Sequence, residues 1–270
     1  MLRRLFGSRT SVRVFTRPGV VVPPATVQAH RVRHPAAVGQ RKAGQTQNFI
    51  VFSDGTSSGE TAAQAMLNSC EADYAATQAW FGGLTPPNLP MYIYADPNAG
   101  GAYHMTCAGT DIHVLSDPNL APGFLTAEIV EVFEAAINIG WDCGVTNGES
   151  LSRVLAFEQH PEIAGDFNQT EQDWWSSGHP DYVNDNSAGD TDQVANGCGD
   201  LFLYYLHSQL TFDWNAICTT GGQTLGGCYQ ALTTYDPQQG FDDFVTALST
   251  IDQGGSLALP ASGNPFPIKT

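Results

Sequence analysis

Residues 124–139 read FLTAEIVEVFEAAINI and form the segment that decides the fold class. At 100° per residue its apolar side chains converge on one face, and this periodicity predicts an amphipathic α-helix that ends at Gly140. Glu128, Glu131 and Glu134 fall on the opposite side of that helix. Acids opposite an apolar stripe are typical of a surface helix, so the pattern favours a solvated carboxylate face.

Short β-rich runs lie mainly before this helix, and helical patterns dominate after it. A small sheet followed by a mostly helical half predicts an α+β fold. The predicted strands are residues 48–53, 89–94, 103–106 and 111–115. The predicted helices are residues 60–81, 124–139, 149–158, 200–210, 214–218, 224–232 and 241–251.

Charge is divided sharply along the chain. Nine of the 11 Lys and Arg residues lie between residues 3 and 42, and the first acid is Asp54. After residue 44, 27 acids face only two bases, Arg153 and Lys269. A body this acidic repels phosphate backbones, which argues against nucleic-acid binding by the globular part.

The charge boundary predicts a basic arm of residues 1–46, an acidic globular domain of residues 47–252 and an irregular Gly/Pro-rich tail of residues 253–270. The arm has three open interpretations: an organelle transit peptide, a segment that binds an acidic partner, or a disordered tail. No apolar stretch follows its arginines as in a secretory signal, and no segment of the chain is long enough to span a membrane.

All six cysteines lie in the acidic body, and none forms a CxxC pair. An even number without that motif predicts disulfides, at least two of the three possible, and hence an extracellular or other oxidising compartment. Cys218 and Cys228 flank a Gly-rich turn and can close a short loop. Six buried free thiols are the alternative. The cysteines are Cys70, Cys107, Cys143, Cys198, Cys218 and Cys228.

The order of elements in residues 47–160 resembles that of the zincin metallopeptidases. In that family an HExxH helix binds zinc, and the glutamate branch supplies a third ligand from a later segment. Here the motif falls on AEIVE, so Glu128 matches the general-base position and Glu149, in NGESLSR, matches the third ligand. Ala127 and Glu131 stand where both histidines would be, so the sequence predicts no stoichiometric zinc and no other required cofactor. The segments GWDCG, NGESLSR and GCGDLFLYYLHSQL also resemble those of uncharacterised bacterial proteins.

Three carboxylates offer a different kind of site. Glu128, Glu131 and Glu149 can hold a hard cation such as Ca²⁺ or Mn²⁺ through oxygen ligands, or share a proton for hydrolysis. Arg153 is the only Lys or Arg between residues 43 and 268, and it follows Glu149 by four residues. That spacing predicts an ion pair on one helical face, with substrate binding as the alternative.

Three further features give weaker signals. Trp174 and Trp175 can stack on a sugar or anchor a loop to the core. The Asp-rich segment 181–192 suits Ca²⁺ but lacks the closing Glu of an EF-hand, which favours a solvated turn. The histidines, including His104 and His113, show no metal-binding spacing, and the sequence predicts surface or packed residues.

The sequence therefore predicts a zincin-like α+β domain that has lost its imidazole zinc site. It would act as a structural, binding or assembly protein, self-associating through the basic arm and acidic body, rather than as an enzyme. The alternative is a peptidase-like or glycosidase-like hydrolase with Glu128 as general base beside Glu149. An enzyme needs its carboxylates in a concave, partly buried pocket, whereas a structural protein leaves them solvated.

Overall fold

The computed structural model describes residues 40–187 and 191–269, together with the backbone of residues 15–16. A mixed sheet occupies the first half and helices the second, so the predicted α+β class is confirmed. The strands are β1 (Phe15–Thr16), β2 (Arg41–Gln45), β3 (Phe49–Ser53), β4 (Met91–Asp96), β5 (Gly101–His104) and β6 (Asp111–Leu115). The helices are α1 (Ser57–Trp80), α2 (Ala121–Ile137), α3 (Thr146–Gln159), α4 (Pro161–Ala164), α5 (Asn168–Ser176), α6 (Gln193–Tyr204), α7 (Trp214–Thr220), α8 (Leu225–Thr233) and α9 (Pro237–Ser249).

The strands lie in the order β1-β5-β6-β4-β3-β2. The three central strands β3, β4 and β6 are parallel to one another, and β5 runs antiparallel to β6. At the two edges of the sheet, β1 pairs antiparallel with β5, and β2 pairs antiparallel with β3. Both edge strands fall within residues 1–46, the predicted arm. The pattern in β2 is polar and mostly exposed, so it lacks the alternation that marks a half-buried strand. Residues 1–14 and 17–39 of the arm lie outside the described residues.

Helix α2 is enclosed by other elements. It contacts β5 and β6 of the sheet, α1 from the first half and α3 from the second. Pro122 lies in its first turn, where a missing N–H costs nothing, and Asn138 ends it in the left-handed conformation, with φ of 53°. This central position puts α2 between the sheet and the helical half.

Aromatic side chains form the core of the helical half. Phe244 of α9 stacks on Trp174 of α5 and packs edge-to-face on Phe202 of α6. The tail joins this core, because Phe266 is buried and packs on Tyr205, in the π-helical turn that follows α6. None of the helices in the described part of the chain combines the length and apolar character needed to cross a bilayer.

Candidate functional site

The carboxylate side of α2 is buried, so the predicted solvated face is wrong. Glu128 and Glu131 each expose 1% of their surface, and Glu134 exposes none. The reason is tertiary: α1, α3, β5 and β6 enclose the helix and cover its acids as well as its apolar stripe. A buried carboxylate is strongly unfavourable unless a proton, a counter-ion or hydrogen bonds compensate it. These acids are therefore candidates for a functional site.

His104, the last residue of β5, lies among these acids. Its Nε2 atom is 2.9 Å from Glu131 Oε2, and its Nδ1 atom is 3.7 Å from Glu128 Oε2. The imidazole is fully buried, and antiparallel pairing with Ile112 of β6 fixes its place in the sheet. The two ring nitrogens therefore each face one of the two buried acids. His104, Glu128 and Glu131 are called the His104 site below.

A disulfide between Cys107 and Cys143 borders the His104 site. It joins the segment after β5 to the turn before α3, and Cys143 Sγ lies 3.9 Å from His104 Nε2. One ligand atom each of His104, Glu131 and Cys143 lies within 4.8 Å of the other two. Nitrogen, oxygen and sulfur donors are thus gathered at one point, although the sulfur is a metal ligand only as a thiolate.

Glu149 is buried in the first turn of α3 and exposes 1% of its surface. The helix can start here because Gly148 has no Cβ, which would overlap the Asp142 carbonyl group. Asn147 Nδ2 donates hydrogen bonds of 2.9 and 2.8 Å to two backbone carbonyls and so holds the same turn. A glycine and an amide side chain therefore bring the start of α3 against the segment that carries Cys143.

The structure contains one disulfide, so the prediction of at least two is wrong. Cys70, Cys198, Cys218 and Cys228 are free and buried. The predicted short-loop pair, Cys218 and Cys228, lies in two separate helices, α7 and α8. Burial raises the pKa of Cys228 to about 12, and a thiol that stays protonated behaves as a small apolar side chain.

Arg153 is the centre of a second buried polar group. Its Nε donates to Asp200 Oδ2 at 3.0 Å, and Nη2 donates to Thr170 Oγ1 at 3.4 Å. The guanidinium carbon is 4.9 Å from the centroid of the Phe167 ring. The spacing in the sequence predicted an ion pair with Glu149, and the acidic partner found 3.0 Å from Arg153 Nε is Asp200 of α6. Arg153 is fully buried here, which makes it part of the core.

Two acids near Arg153 have raised pKa values. Burial is the main cause at Glu171, and the negative charge of Asp200 adds to it, so the pKa of Glu171 lies well above its usual value. Burial also raises the pKa of Asp200 to about 6, against the opposing effect of the Arg153 charge. Both carboxyl groups therefore hold a proton to higher pH in the folded protein than in the unfolded chain.

The raised pKa of Glu171 predicts a pH-dependent effect of the Glu171→Gln substitution. A raised acid contributes stability that is complete below its unfolded pKa, near 4.5, and that is lost as pH rises through the folded pKa. Glutamine imitates the protonated acid at every pH. The free energy of unfolding of the wild type should therefore fall relative to that of the variant as the pH rises from 4.5 through the raised pKa of Glu171.

Urea denaturation across that pH range measures the difference. Glu60→Gln is the control, because Glu60 is exposed in the first turn of α1. A wild-type protein that gains stability over Glu171→Gln as pH rises would contradict the assignment of a raised pKa.

Trp174 and Trp175 both face the helical core. Trp174 is fully buried, and its Nε1 donates to the Pro180 carbonyl at 2.9 Å. Trp175 exposes 5% of its surface, and its Nε1 donates to Asp252 Oδ1 at 3.0 Å. The indoles thus connect α5 to the segments around residues 180 and 252. Stacking on a sugar would require this core to open.

The Asp-rich segment 181–192 uses its carboxylates locally where the structure describes it. Asp181 Oδ1 accepts hydrogen bonds from two backbone N–H groups, at 3.0 and 2.9 Å. Asp192 caps α6 by accepting from an N–H of its first turn at 3.1 Å. Turn and cap bonds of this kind are the ordinary role of Asp in loops. Residues 188–190 lie outside the described residues.

Two other histidines have acidic partners as well. His160 Nε2 is 3.2 Å from Asp73 Oδ1, and His113 Nδ1 is 3.2 Å from Asp96 Oδ2. The His113 ring also stacks on Tyr103 with centroids 4.8 Å apart. Both are therefore packed residues. His104 differs from them in having two buried acids and a disulfide around one ring.

The position of His104 beside Glu128 and Glu131 was not predicted from the sequence. Its partners Glu128 and Glu131 lie on a helix that follows two turns and another strand, and no spacing rule connects a strand residue to a distant helix. The available signal was that His104 falls in a predicted strand of the same small sheet on which α2 packs.

Compared with protein-family models, curated proteins and solved structures, the chain has no match. The zincin resemblance and the likeness to uncharacterised bacterial proteins therefore stay predictions.

Proposed function

We propose that this protein is a non-peptidase binding protein, in which the acidic body holds a basic, extended segment along the outer edge of β5. The observation that supports this most directly is the pairing of β1 with β5, in which Phe15 is matched to Ala102 and Thr16 to Gly101. Strand addition of this kind supplies affinity through the main chain and leaves selectivity to the side chains.

The zinc chemistry of the zincins does not fit the residues present. Ala127 has no ligand atom at the first histidine position, and Glu131 stands at the second. Glu131 Oε2 instead lies 2.9 Å from His104 Nε2. An imidazole of the protein thus stands beside the acid that replaces a zinc ligand, which favours a binding role over metal-dependent hydrolysis.

The supply of cations supports a basic ligand. Arg153 is the only Lys or Arg between residues 43 and 268, and its guanidinium is buried against Asp200. Lysine or arginine charge that compensates the acids of α2 therefore has to come from outside this range. The arm carries nine basic residues and no acid, so its charge is complementary to that of the body.

The strand register leads towards the His104 site. Phe15 is matched to Ala102, and His104 ends β5 two residues after Ala102. Arg13 and Arg17 flank β1 in the sequence, which makes them the basic residues with which the contact is tested.

Self-association follows from the same contact if the arm of one copy binds the body of another. Such a contact is head-to-tail and propagates into rings or filaments. The prediction that the body does not bind nucleic acid is unaffected, since the acidic charge lies on the body itself.

Charge reversal in the arm tests the proposal in the full-length chain. The double substitution Arg13→Glu and Arg17→Glu places acids on both sides of β1 in the sequence and should weaken its hold on β5. We expect a chymotrypsin-type protease to cleave after Phe15 at least about tenfold faster, because cleavage follows the population of the released arm. A tenfold change corresponds to a loss of roughly 1.4 kcal/mol in the free energy of arm binding.

The matched control is Arg31→Glu with Arg33→Glu, which changes the charge equally at a distance from β1 along the chain. Free peptides of the arm with the same substitutions correct for the preference of the protease. Equal cleavage of the wild type and both variants would contradict the proposal. Light scattering at low and high salt then shows whether the contact also joins copies.

A hydrolase remains the second candidate because Glu128 and Glu149, both nearly fully buried, lie on helices that pack together. A general base in this role contributes about 10²–10⁴-fold to a rate. Hydrolysis of a peptide or glycoside by the full-length chain, lost in Glu128→Gln but kept in the arm variants, would favour this candidate over the binding protein.

A further inference from the structure

The Cys107–Cys143 disulfide places two sulfur atoms beside other side chains that can bind a metal. Cys143 is fully buried and lies 3.9 Å from His104 Nε2, which in turn is 2.9 Å from Glu131 Oε2. Cys107 is half-buried, and its Sγ lies 3.8 Å from Asp142 Oδ1. The buried histidine and acid lie on the inner side of the disulfide, and Cys107 lies nearer the surface.

The donor atoms of these residues already lie near one another. One atom each of His104, Glu131 and Cys143 lies within 4.8 Å of the other two, and the same holds for Cys107, Asp142 and Cys143. In tetrahedral zinc sites the bonds are about 2.0–2.3 Å long, which separates ligand atoms by about 3.3–3.8 Å. Small side-chain shifts would therefore bring nitrogen, oxygen and sulfur donors onto one ion. As long as the sulfurs are bonded to each other, neither is a thiolate ligand.

We propose that reduction of the Cys107–Cys143 disulfide creates a binding site for a zinc-class divalent cation, with His104, Glu131, Cys107 and Cys143 as ligands. Two thiolates select zinc over the hard cations Ca²⁺ and Mn²⁺, which prefer oxygen. The site is different from that of a zincin, because three of its four ligands lie outside α2.

The chemistry needs a two-electron reductant. A phosphine attacks one sulfur of the disulfide and breaks the S–S bond, and water then releases the phosphine oxide and leaves two thiols. Binding of Zn²⁺ displaces the two thiol protons. In the reverse direction a small-molecule disulfide accepts the two electrons through thiol–disulfide exchange, the Cys107–Cys143 bond forms again, and the cation is released. Cys107 is the sulfur exposed to such reagents.

Zinc stoichiometry in the full-length protein tests the proposal. The oxidised protein and the phosphine-reduced protein are equilibrated with Zn²⁺, separated from free metal and measured by elemental analysis. We expect about one equivalent in the reduced protein and none above background in the oxidised protein. A disulfide oxidant added to the zinc-loaded protein should release the metal to a colorimetric chelator.

Variants distinguish this site from the other thiols. Cys143→Ser should abolish stoichiometric zinc in reduced protein, whereas Cys70→Ser, at another buried cysteine, should leave it unchanged. With Co²⁺ as probe, Cys107→Ser should lower the thiolate-to-cobalt absorption by about half, since one of two sulfur ligands is lost. Because Cys107 is only half-buried, this variant keeps the test valid if Cys143→Ser does not fold.

Three outcomes would overturn the proposal: no zinc in the reduced protein, equal zinc in both redox forms, or full retention by folded Cys143→Ser. None of these measurements depends on the arm. The metal site and the proposed binding function can therefore fail independently of each other.

Discussion

Replacing Arg153 with methionine is expected to lower the free energy of unfolding by about 3–5 kcal/mol, the usual effect of removing one partner from a buried ion pair. The guanidinium is fully buried and donates to Asp200 at 3.0 Å. Its loss leaves Asp200 in the core without this cation. It also removes a positive charge that stabilises the ionised form of Glu171. Because domains are stable by about 5–15 kcal/mol, most of the margin can disappear.

Urea denaturation at neutral pH measures the change. Arg153→Lys keeps the charge but not the planar fork, so its effect should be intermediate. The double variant Arg153→Met with Asp200→Leu removes both charges, and we expect it to recover much of the lost stability. Wild-type stability in Arg153→Met alone would mean that the pair is not a structural element of the core.

The sequence predicted the class of fold well because the decisive patterns are local. The apolar stripe of α2 repeats with the helical period, and the strands from β3 to β6 are short β-rich runs between turns. The strand β2 was missed because its side chains are polar and mostly exposed, as befits the edge of a sheet. Its pairing with β3 is a tertiary fact that periodicity does not encode.

The candidate site was predicted only in part because burial of a polar face depends on what packs against it. Glu128 and Glu131 were selected from the sequence as candidate site residues, yet their position opposite the apolar stripe indicated solvent. Contacts with α3 and β5 reversed that environment. His104 and the Cys107–Cys143 pair come from separate elements, and neither the histidine spacing nor the even cysteine count identifies which groups meet.

Replacing His104 with leucine should lower the free energy of unfolding by about 3–5 kcal/mol, because it removes the imidazole 2.9 Å from a carboxylate that exposes 1% of its surface. Glu131 would then be left buried without that hydrogen-bonding partner. If the pair acts as a unit, His104→Leu with Glu131→Leu should restore most of the loss, since an apolar pair of similar volume is often as stable as a buried ion pair.

The structure offers a matched control in His113, the other strand histidine with an acidic partner. Its Nδ1 lies 3.2 Å from Asp96 Oδ2, but the two side chains are 28% and 19% exposed. A partly exposed pair is screened by solvent more than a fully buried one, so His113→Leu should change the stability less than His104→Leu. Urea denaturation of the four proteins, with the Cys107–Cys143 disulfide kept intact, gives the comparison. Equal losses of unfolding free energy in His104→Leu and His113→Leu, or no recovery in the double variant, would contradict this prediction. Burial of the His104 site would then not determine how much the site contributes to stability.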